Sequence, residues 1–168
     1  MQELPQDFER EPDAERRLIF QLLRCWRGAR GELPFPTLKS VYEALDGAQI
    51  ESSFVVLLSG SDGEPLFGRI GSALACDAGA DLSGRPISRA PENSRLARAL
   101  KDYERAVRHG VPVCVGDEFI DRQGRSVQCR SIVMPISEDG SRISSLFCGW
   151  SGRFVAAGDG ASSEGTAP

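Results

Sequence analysis

Apolar side chains recur at helical spacing near the start of the chain. Over residues 13–27, Leu18, Leu22 and Trp26 lie four positions apart and share one face of a predicted helix with Ile19. Five arginines lie largely off that face and form a basic stripe beside it: Arg16, Arg17, Arg24, Arg27 and Arg30. Such a helix binds a membrane surface or a partner helix, or it packs against its own domain with a solvated flank; we favour the packed arrangement.

Five strand-like runs follow, separated by turn signals. The predicted strands are residues 54–59, 65–70, 111–119, 126–136 and 142–150. Ser-Asp-Gly near residue 62 predicts a hairpin between the first two. A short helix is predicted over residues 37–45, and a longer helix over residues 91–109 lies between the second and third strands. This order predicts an α+β domain with a five-stranded antiparallel sheet that helices cover.

Composition bounds the class of protein. The chain has 168 residues, of which 26% are charged and 40% hydrophobic, as in globular domains. We expect one domain over residues 13–152, between a flexible N-terminus (1–12) and a disordered Gly- and Ser-rich tail (153–168). The net charge of −4 disfavours nucleic-acid binding. Because the start of the chain is acidic and no apolar run approaches a bilayer span, we expect a cytoplasmic protein without membrane association.

The residues that could carry chemistry are few. The five cysteines are odd in number and contain no Cys-x-x-Cys pair, so we expect neither a disulfide framework nor a structural zinc site. Cys114, Cys129 and Cys148 fall in strand-like runs, where cysteine usually serves as a small buried apolar residue. The single histidine, His109, ends a predicted helix, and nothing places a serine or cysteine nucleophile beside it. We therefore expect no catalytic residue and no metal site.

Four segments between about residue 18 and residue 152 carry a family pattern. They are LLRCWRGARGELPFP (22–36), PLFGRIGSAL (65–74), GADLSGRPI (79–87) and SIVMPISEDGSRISSLFCG (131–149). In this order they resemble small single-domain PAS proteins common in alphaproteobacteria. That family has a Trp-containing helix before a Leu-Pro turn, a strand ending in Gly-Thr, a Leu-Thr-Gly-Arg-like turn and a final hairpin. Ser72 replaces the threonine here, and PTLKSV replaces the polar segment after the Leu-Pro turn.

The resemblance implies a PAS-like fold, in which short helices cover the sheet above an internal cavity. The stretch IGSALACDAGADLSGRPIS at residues 70–88 then forms a helical flap between the second strand and the long helix. Its small residues leave room for a pocket, but a filled core beneath an ordinary connector is an equal alternative. If the pocket exists, we expect these residues to line it: Phe54, Val56, Leu58, Leu66, Leu74, Leu82, Leu100, Val133 and Phe147.

PAS domains that carry a cofactor need residues that this sequence lacks in the required setting. A haem would need an axial ligand, and His109 at its helix end is expected to be exposed. A light-sensing flavin domain would carry its reactive cysteine in an Asn-Cys-Arg-Phe helix. Cys129 lies instead in the predicted strand VQCRS, and Cys76 lies in LACDA. We therefore expect no cofactor.

The function that the resemblance implies is that of a non-catalytic bacterial signalling protein. It would act through contacts with signalling proteins, such as histidine kinases or their regulators. By analogy with PAS domains that pair through an N-terminal helix, we expect a homodimer with this interface: Leu18, Ile19, Leu22 and Trp26. Two alternatives remain open. One is a small-molecule or cofactor sensor with its ligand in the PAS cavity, and the other is an α+β metabolic enzyme, which replacement of His109 by alanine would test.

Overall fold

The computed structural model describes residues 14–58 and 63–155, with side chains from residue 16 onward. The helices are α1 (Ala14–Arg30), α2 (Leu38–Glu43), α3 (Gly47–Glu51), α4 (Ser72–Ala78), α5 (Arg95–Ala99) and α6 (Tyr103–His109). The strands are β1 (Ser53–Leu57), β2 (Leu66–Ile70), β3 (Val113–Ile120), β4 (Ser126–Ile136) and β5 (Ser145–Phe154). The predicted α+β class, with an N-terminal amphipathic helix before a five-stranded sheet, is confirmed. The expected flexible N-terminus lies outside the described residues.

The five strands form one antiparallel sheet in the order β2-β1-β5-β4-β3. The first and last strands of the chain are therefore neighbours at its centre, as the pair Val55 and Phe147 shows. The outer edge of β2 is covered by the segment after α4: the Phe67 N–H donates to Arg85 O (2.8 Å) and the Gly84 N–H donates to Phe67 O (2.7 Å). This pairing satisfies backbone groups that an edge strand would otherwise present to water.

The sheet has two differently covered faces. On one face, here called the cover face, helices α4, α5 and α6 pack over a large buried cluster that includes Phe54, Phe67 and Leu96. On the other face α1 and α2 pack over Val55, Ile132 and their neighbours in a second cluster. Because side chains alternate along a strand, consecutive residues of β1, β4 and β5 enter different clusters. The sheet is thus sandwiched between two helical layers.

Helix α1 packs its apolar side onto the sheet of its own chain. Leu22 is completely buried against Gly149, where any side chain would overlap it. The Trp26 indole N–H donates to the Pro135 carbonyl at 2.8 Å. The predicted dimer interface is therefore wrong at residue level: Ile19, Leu22 and Trp26 are 0–3% exposed, and Leu18 packs against the same cluster. An apolar helix face already buried within the domain is not available to a second copy.

The long predicted helix at residues 91–109 is divided in two. Ser94 caps α5, its hydroxyl accepting the Ala97 N–H at 3.2 Å, and Gly110 ends α6 with positive φ. Between the two helices, the Tyr103 N–H donates to Leu100 O, which is a tighter turn than an α-helix allows. Leu96 and Leu100 nevertheless lie in the cover-face core, with Tyr103 packed against it, because the turn keeps these apolar residues on the same side.

Two other boundaries differ from the sequence prediction. Helix α3 was not predicted, although Asp46 and Gln49 form a capping box: the Gln49 N–H donates to Asp46 Oδ1 (2.8 Å) and the Asp46 N–H donates to Gln49 Oε1 (2.9 Å). The Asp-x-x-Gln spacing was the signal that could have found it. Strand β5 continues to Phe154, two residues beyond the expected domain limit at residue 152. The rest of the expected tail, from residue 156, lies outside the described residues.

Candidate interaction surface

Most residues expected to line a pocket lie in the cover-face cluster. Buried members of that cluster are Phe54, Val56, Leu74, Leu100 and Val133, and Leu58 and Leu82 pack against it while partly buried. Two of the nine lie elsewhere. Leu66 is half-buried on β2, outside both clusters, beside its backbone bridge to Pro86. Phe147 points to the α1 side of the sheet and meets the Tyr42 ring edge-on with centroids 5.6 Å apart.

The Phe147 placement corrects the pocket prediction, and its cause is strand alternation. Its neighbours Leu146 and Cys148 face the cover-face core. An error of one residue in the predicted alternation of the strand therefore assigned Phe147 to the wrong face of the sheet. Large side chains from both layers meet in that core. Phe54 and Phe67 are completely buried with ring centroids 6.1 Å apart, and Leu74 of the flap helix α4 is 1% exposed. The flap therefore packs down on the sheet and contributes Leu74 to the buried core.

Trp150 closes one end of the cover-face core. The Arg95 guanidinium lies over its ring at 4.6 Å, and Arg95 is in turn paired with Asp77 at 3.4 Å. The buried indole N–H of Trp150 has no hydrogen-bond partner among the described residues. Asp77 also accepts the Arg95 backbone N–H at 2.8 Å, so the α4–α5 connection is held by one carboxylate. These contacts tie the flap to the following helix.

A surface groove with a volume of about 930 Å³ lies between α6 and the turn from β4 to β5. Leu58, Tyr103, Val107 and Ile143 give it apolar walls, and its charged lining residues are Glu104, Arg108, Glu138, Asp139 and Arg142. It opens to solvent beside the cover-face core, and Leu58 is its single member from the predicted pocket set. A small molecule could enter here without displacing the packed core.

A second groove, of about 700 Å³, lies where the end of α4 meets the β3–β4 turn. Its arginines are engaged within the fold. Arg125 pairs with Asp121 at 2.8 Å, and Arg122 donates to the carbonyls of Asp77 and Ala78 at 3.4 Å, at the C-terminus of α4. Cations at a helix C-terminus interact favourably with its dipole. The arginines of this groove therefore stabilise the fold through contacts within the chain.

The solvent side of α1 carries a basic surface with an apolar centre. We define the arginine face as Arg16, Phe20, Arg24 and Arg27. All four side chains are exposed, and the Phe20 ring is 65% exposed. Within the described ranges, none of the three arginines forms an ion pair. The sequence identified the arginines, whereas Phe20 was missed; its signal is a position four residues from both Arg16 and Arg24.

The arginine face continues into a groove of about 350 Å³ between α1 and β3. Leu23 and Arg30 form its α1 side, and Val111 and Cys114 form its other side. Arg30 stacks over the Trp26 ring at 5.4 Å. Cys114 is exposed, contrary to the prediction of a buried strand cysteine, because it lies on the sheet face beyond the reach of α1. The basic helix and the open part of the sheet therefore form one continuous surface.

Thiol chemistry can test these placements. Cys129 and Cys148 are buried, and burial raises the pKa of the Cys148 thiol far above its usual range. Cys76 and Cys114 are exposed, although desolvation raises the pKa of Cys114 while Arg130 opposes the rise. Since the thiolate is the reacting form, we expect iodoacetamide to label Cys76 first, then Cys114, and to spare the two buried thiols until unfolding. Peptide mass spectrometry over time measures this order, which early labelling of Cys148 would contradict.

The remaining site predictions concern cofactors, metals and membranes. His109 is exposed in the last turn of α6, as its sequence position suggested. Across residues 14–58 and 63–155, no group of three His, Cys, Asp or Glu side chains is placed to hold a metal ion. None of the helices in those ranges has the length and apolar character that a bilayer crossing requires.

No family model matches the chain, and no curated protein matches it. Among solved structures it is similar to the LOV domain of a blue-light activated histidine kinase from Erythrobacter litoralis (12% identity, TM-score 0.44, covering 62% of this chain and 96% of that one). It is also similar to the PAS domain of the fruit-fly ELK potassium channel (12%, TM-score 0.45, 68% and 94%). A third similar structure comes from a flavin-analogue study of a light-oxygen-voltage domain. It is 14% identical, has a TM-score of 0.47, and the match covers 70% of this chain and 86% of that one. At these TM-scores the similarities carry no argument about binding or activity.

Proposed function

We propose that this chain is a non-catalytic bacterial signalling domain of the PAS type that acts through contacts with other proteins. The sequence resemblance supports the family, and the sheet covered by short helices is compatible with it. The proposal takes surface contact as the means of action, and it is supported by the large, completely buried side chains of the cover-face core, such as Phe54, Phe67 and Leu96. A conformational change in the domain would then reach the partner protein through the surface that the two proteins share.

The observation that carries the proposal is the arginine face of α1. Aromatic residues and arginine are enriched where proteins bind one another, and a large exposed ring within a charged border is an interaction signature. Phe20 has this setting between Arg16 and Arg24. The partner surface that complements it is acidic with an apolar centre. By the sequence resemblance, the partner would be a signalling protein such as a histidine kinase or its regulator.

Self-association remains part of the proposal, but through different residues. Because Leu22 and Trp26 are buried in their own domain, a homodimer would use the arginine face or the open sheet beside β3. Cys114 and Ile120 lie on that open part of the sheet, and the Ile120 side chain is 56% exposed.

The second candidate function is that of a small-molecule sensor. The groove beside α6 favours it, because apolar side chains line the groove together with charged side chains of both signs, as in sites that bind small polar molecules. In this alternative the ligand would lie at the edge of the helical cover rather than under it. Occupancy of the groove would be the signal, and α6 would be the element that responds.

Capture from the native host tests the proposed function. The full chain would be immobilised beside an Arg16→Ala, Arg24→Ala, Arg27→Ala variant. A control variant, Arg85→Ala, Arg89→Ala, Arg105→Ala, makes the same charge change at exposed positions elsewhere. We expect recovery of a specific partner to fall about ten-fold in the first variant, since charge-assisted contacts contribute about 1 kcal/mol or more each. Equal recovery by all three proteins would contradict the proposal.

A further inference from the structure

We propose that two copies of this chain form a dimer in which the outer edge of β3 pairs antiparallel with β3 of the second copy, so that the two sheets become one. The inference rests on the proposed function only in that it specifies the surface through which the chain self-associates. It depends on the open edge of β3, on the side chains of that strand and on the charges beside it.

The sheet has two edge strands, β2 and β3, and they differ in what covers them. Backbone hydrogen bonds join the β2 edge to the segment after α4, as between Phe67 and residues 84 and 85. Among the described residues, β4 is the only segment whose backbone pairs with β3, so the other side of β3 is open. An eight-residue strand with an open edge is a template for pairing with another strand.

The hydrogen bonds of the β3–β4 turn show which backbone groups of β3 face outward. The Asp121 N–H donates to Arg125 O at 2.8 Å, so residue 121 directs its N–H at the neighbouring strand. In an antiparallel ladder this direction alternates from one residue to the next. Four residues of β3 therefore direct their N–H and C=O groups away from β4: Cys114, Gly116, Glu118 and Ile120.

These four residues are all exposed, and one register opposes them with the same four residues of a second copy. In that register Cys114 lies opposite Ile120, and Gly116 lies opposite Glu118. Each end of the contact then joins two apolar side chains, and the long Glu118 side chain faces a residue that has none. A shift of two residues either opposes the two Glu118 carboxylates or brings in Pro112, which has no N–H to donate.

Charge complementarity supports this register. Arg130 of β4 lies opposite Gly116 in its own copy, and its Nη1 atom is 3.9 Å from the position that a Gly116 Cβ would occupy. Facing Cβ positions in an antiparallel pair are about 4.5–5.5 Å apart, a gap that a glutamate side chain can cross. Glu118 of one copy would therefore reach Arg130 of the other, and twofold symmetry produces this contact twice. Neither side chain forms an ion pair with a described residue.

Two features of Asp117 oppose pairing and keep the dimer weak. The Glu118 N–H donates to Asp117 Oδ1 at 2.9 Å, and this bond would be exchanged for one to the second copy. Asp117 also lies opposite its own copy on the twofold axis, where the Arg98 guanidinium, 3.2 Å from Asp117 Oδ2, offsets the repulsion. Because the contact is confined to one strand edge, we expect a dissociation constant between about 10 µM and 1 mM.

Amide hydrogen exchange of the full chain, followed by NMR, tests the edge directly. Sedimentation equilibrium first gives the dissociation constant, and exchange is then measured well below and well above it. We expect the amides of Cys114, Gly116 and Ile120 to exchange several-fold more slowly in the concentrated sample. The amides of Val115 and Phe119 should not change, because they already face β4. Exchange at the three outward amides that does not depend on concentration would overturn the proposal.

Charge reversals test the register. The Glu118→Arg variant opposes two basic side chains at each contact of its dimer, and the Arg130→Glu variant opposes two acidic ones. We expect each variant alone to dimerise at least about ten-fold more weakly than the native chain. An equimolar mixture of the two variants should recover the dimer, because the mixed dimer has one native contact and one contact with its charges exchanged. Native mass spectrometry identifies the mixed dimer by its mass.

Lys39→Glu and Glu43→Arg on α2 are the matched controls, since they reverse the same charges at exposed positions outside the contact. Each control should dimerise as the native chain does, and far-UV circular dichroism confirms folding. If Arg130→Glu does not fold, Glu118→Arg at its exposed position and the exchange measurement decide. A native chain that stays monomeric, or a Glu118→Arg variant that dimerises as tightly as the native chain, would overturn the proposal. Partner capture by the arginine face uses none of these residues, so the two proposals can fail separately.

Discussion

Replacement of Gly71 by alanine is expected to destabilise the domain by about 3 kcal/mol or more, at the upper end of overpacking substitutions. Gly71 is buried between β2 and α4, and its N–H donates to Ser53 O at 2.8 Å. A Cβ at this position would overlap the Glu51 carbonyl and would lie 2.7 Å from Ile50 O. These are backbone atoms of the segment that leads into β1, so no side-chain rotation relieves the overlap. Urea unfolding measures the loss.

Gly28→Ala in α1 is the matched control. A Cβ at Gly28 meets nothing within 4 Å, and alanine is the better helix former by up to about 1 kcal/mol. The control should therefore leave the free energy of unfolding unchanged or raise it. A loss below about 1 kcal/mol in Gly71→Ala would mean that the α3–β1 segment can move away, and that the close packing of the flap against it is not required.

Combining Leu22→Glu with Trp26→Ala is expected to prevent folding rather than to disrupt an interface. The carboxylate introduced in place of Leu22 would enter a fully buried site beside Gly149, where no described basic group faces it. Loss of the Trp26 ring alone removes a large buried side chain, at about 3–5 kcal/mol, and leaves the Pro135 carbonyl without its donor. Marginal stability of about 5–15 kcal/mol for a domain does not withstand both changes. Near-UV circular dichroism and thermal melting measure the outcome.

The matched control changes the opposite side of the same helix. Phe20→Ala with Arg24→Ala removes an aromatic ring and a long side chain at exposed positions, and the thermal midpoint should move little. If instead the Leu22→Glu, Trp26→Ala protein were folded and merely lost self-association, the apolar side of α1 would be an interface after all. The packing of α1 on β4 and β5 would then be wrong.

The amphipathic pattern predicted α1 but could not say what covers it. Residues four apart fix which side chains share a face, and the same face serves a partner helix or the domain's own sheet. The answer depends on Gly149 and Pro135, more than 100 positions away, which admit Leu22 and accept the Trp26 hydrogen bond. Those distant contacts are not visible in the local pattern. The favoured packing of the helix on its own domain agrees with the burial of Leu22 and Trp26, and the same packing removes them from the expected dimer interface.

The local pattern was sufficient to predict strand β4. Its eleven residues were predicted with both ends in place, because turn residues bound a long apolar run on each side. Phe147 was assigned to the wrong face, since the first six residues of β5 are buried on both sides of the sheet and the sequence there does not alternate between polar and apolar residues. The division of residues 91–109 into two helices was hidden for a similar reason: the turn at Leu100 keeps the apolar spacing that a continuous helix would have.

The sequence identified only the arginines of the candidate interaction surface. The arginines stand out by charge, but their importance depends on Phe20 being exposed among them, which only the packing of α1 decides. Whether the flap encloses a cavity was undecidable from small residues alone. The volume beneath a flap is set by side chains from several strands, here Phe54 and Phe67 among them.

Native mass spectrometry of the full chain, purified from its native host, tests the central claim most directly. The claim is that the domain acts through its surface, with a core filled by its own side chains. The account predicts that the native mass equals the denatured mass or a whole multiple of it, with no small molecule released on denaturation. A stoichiometric excess mass that disappears on denaturation would contradict the account and would make the chain a sensor of that compound.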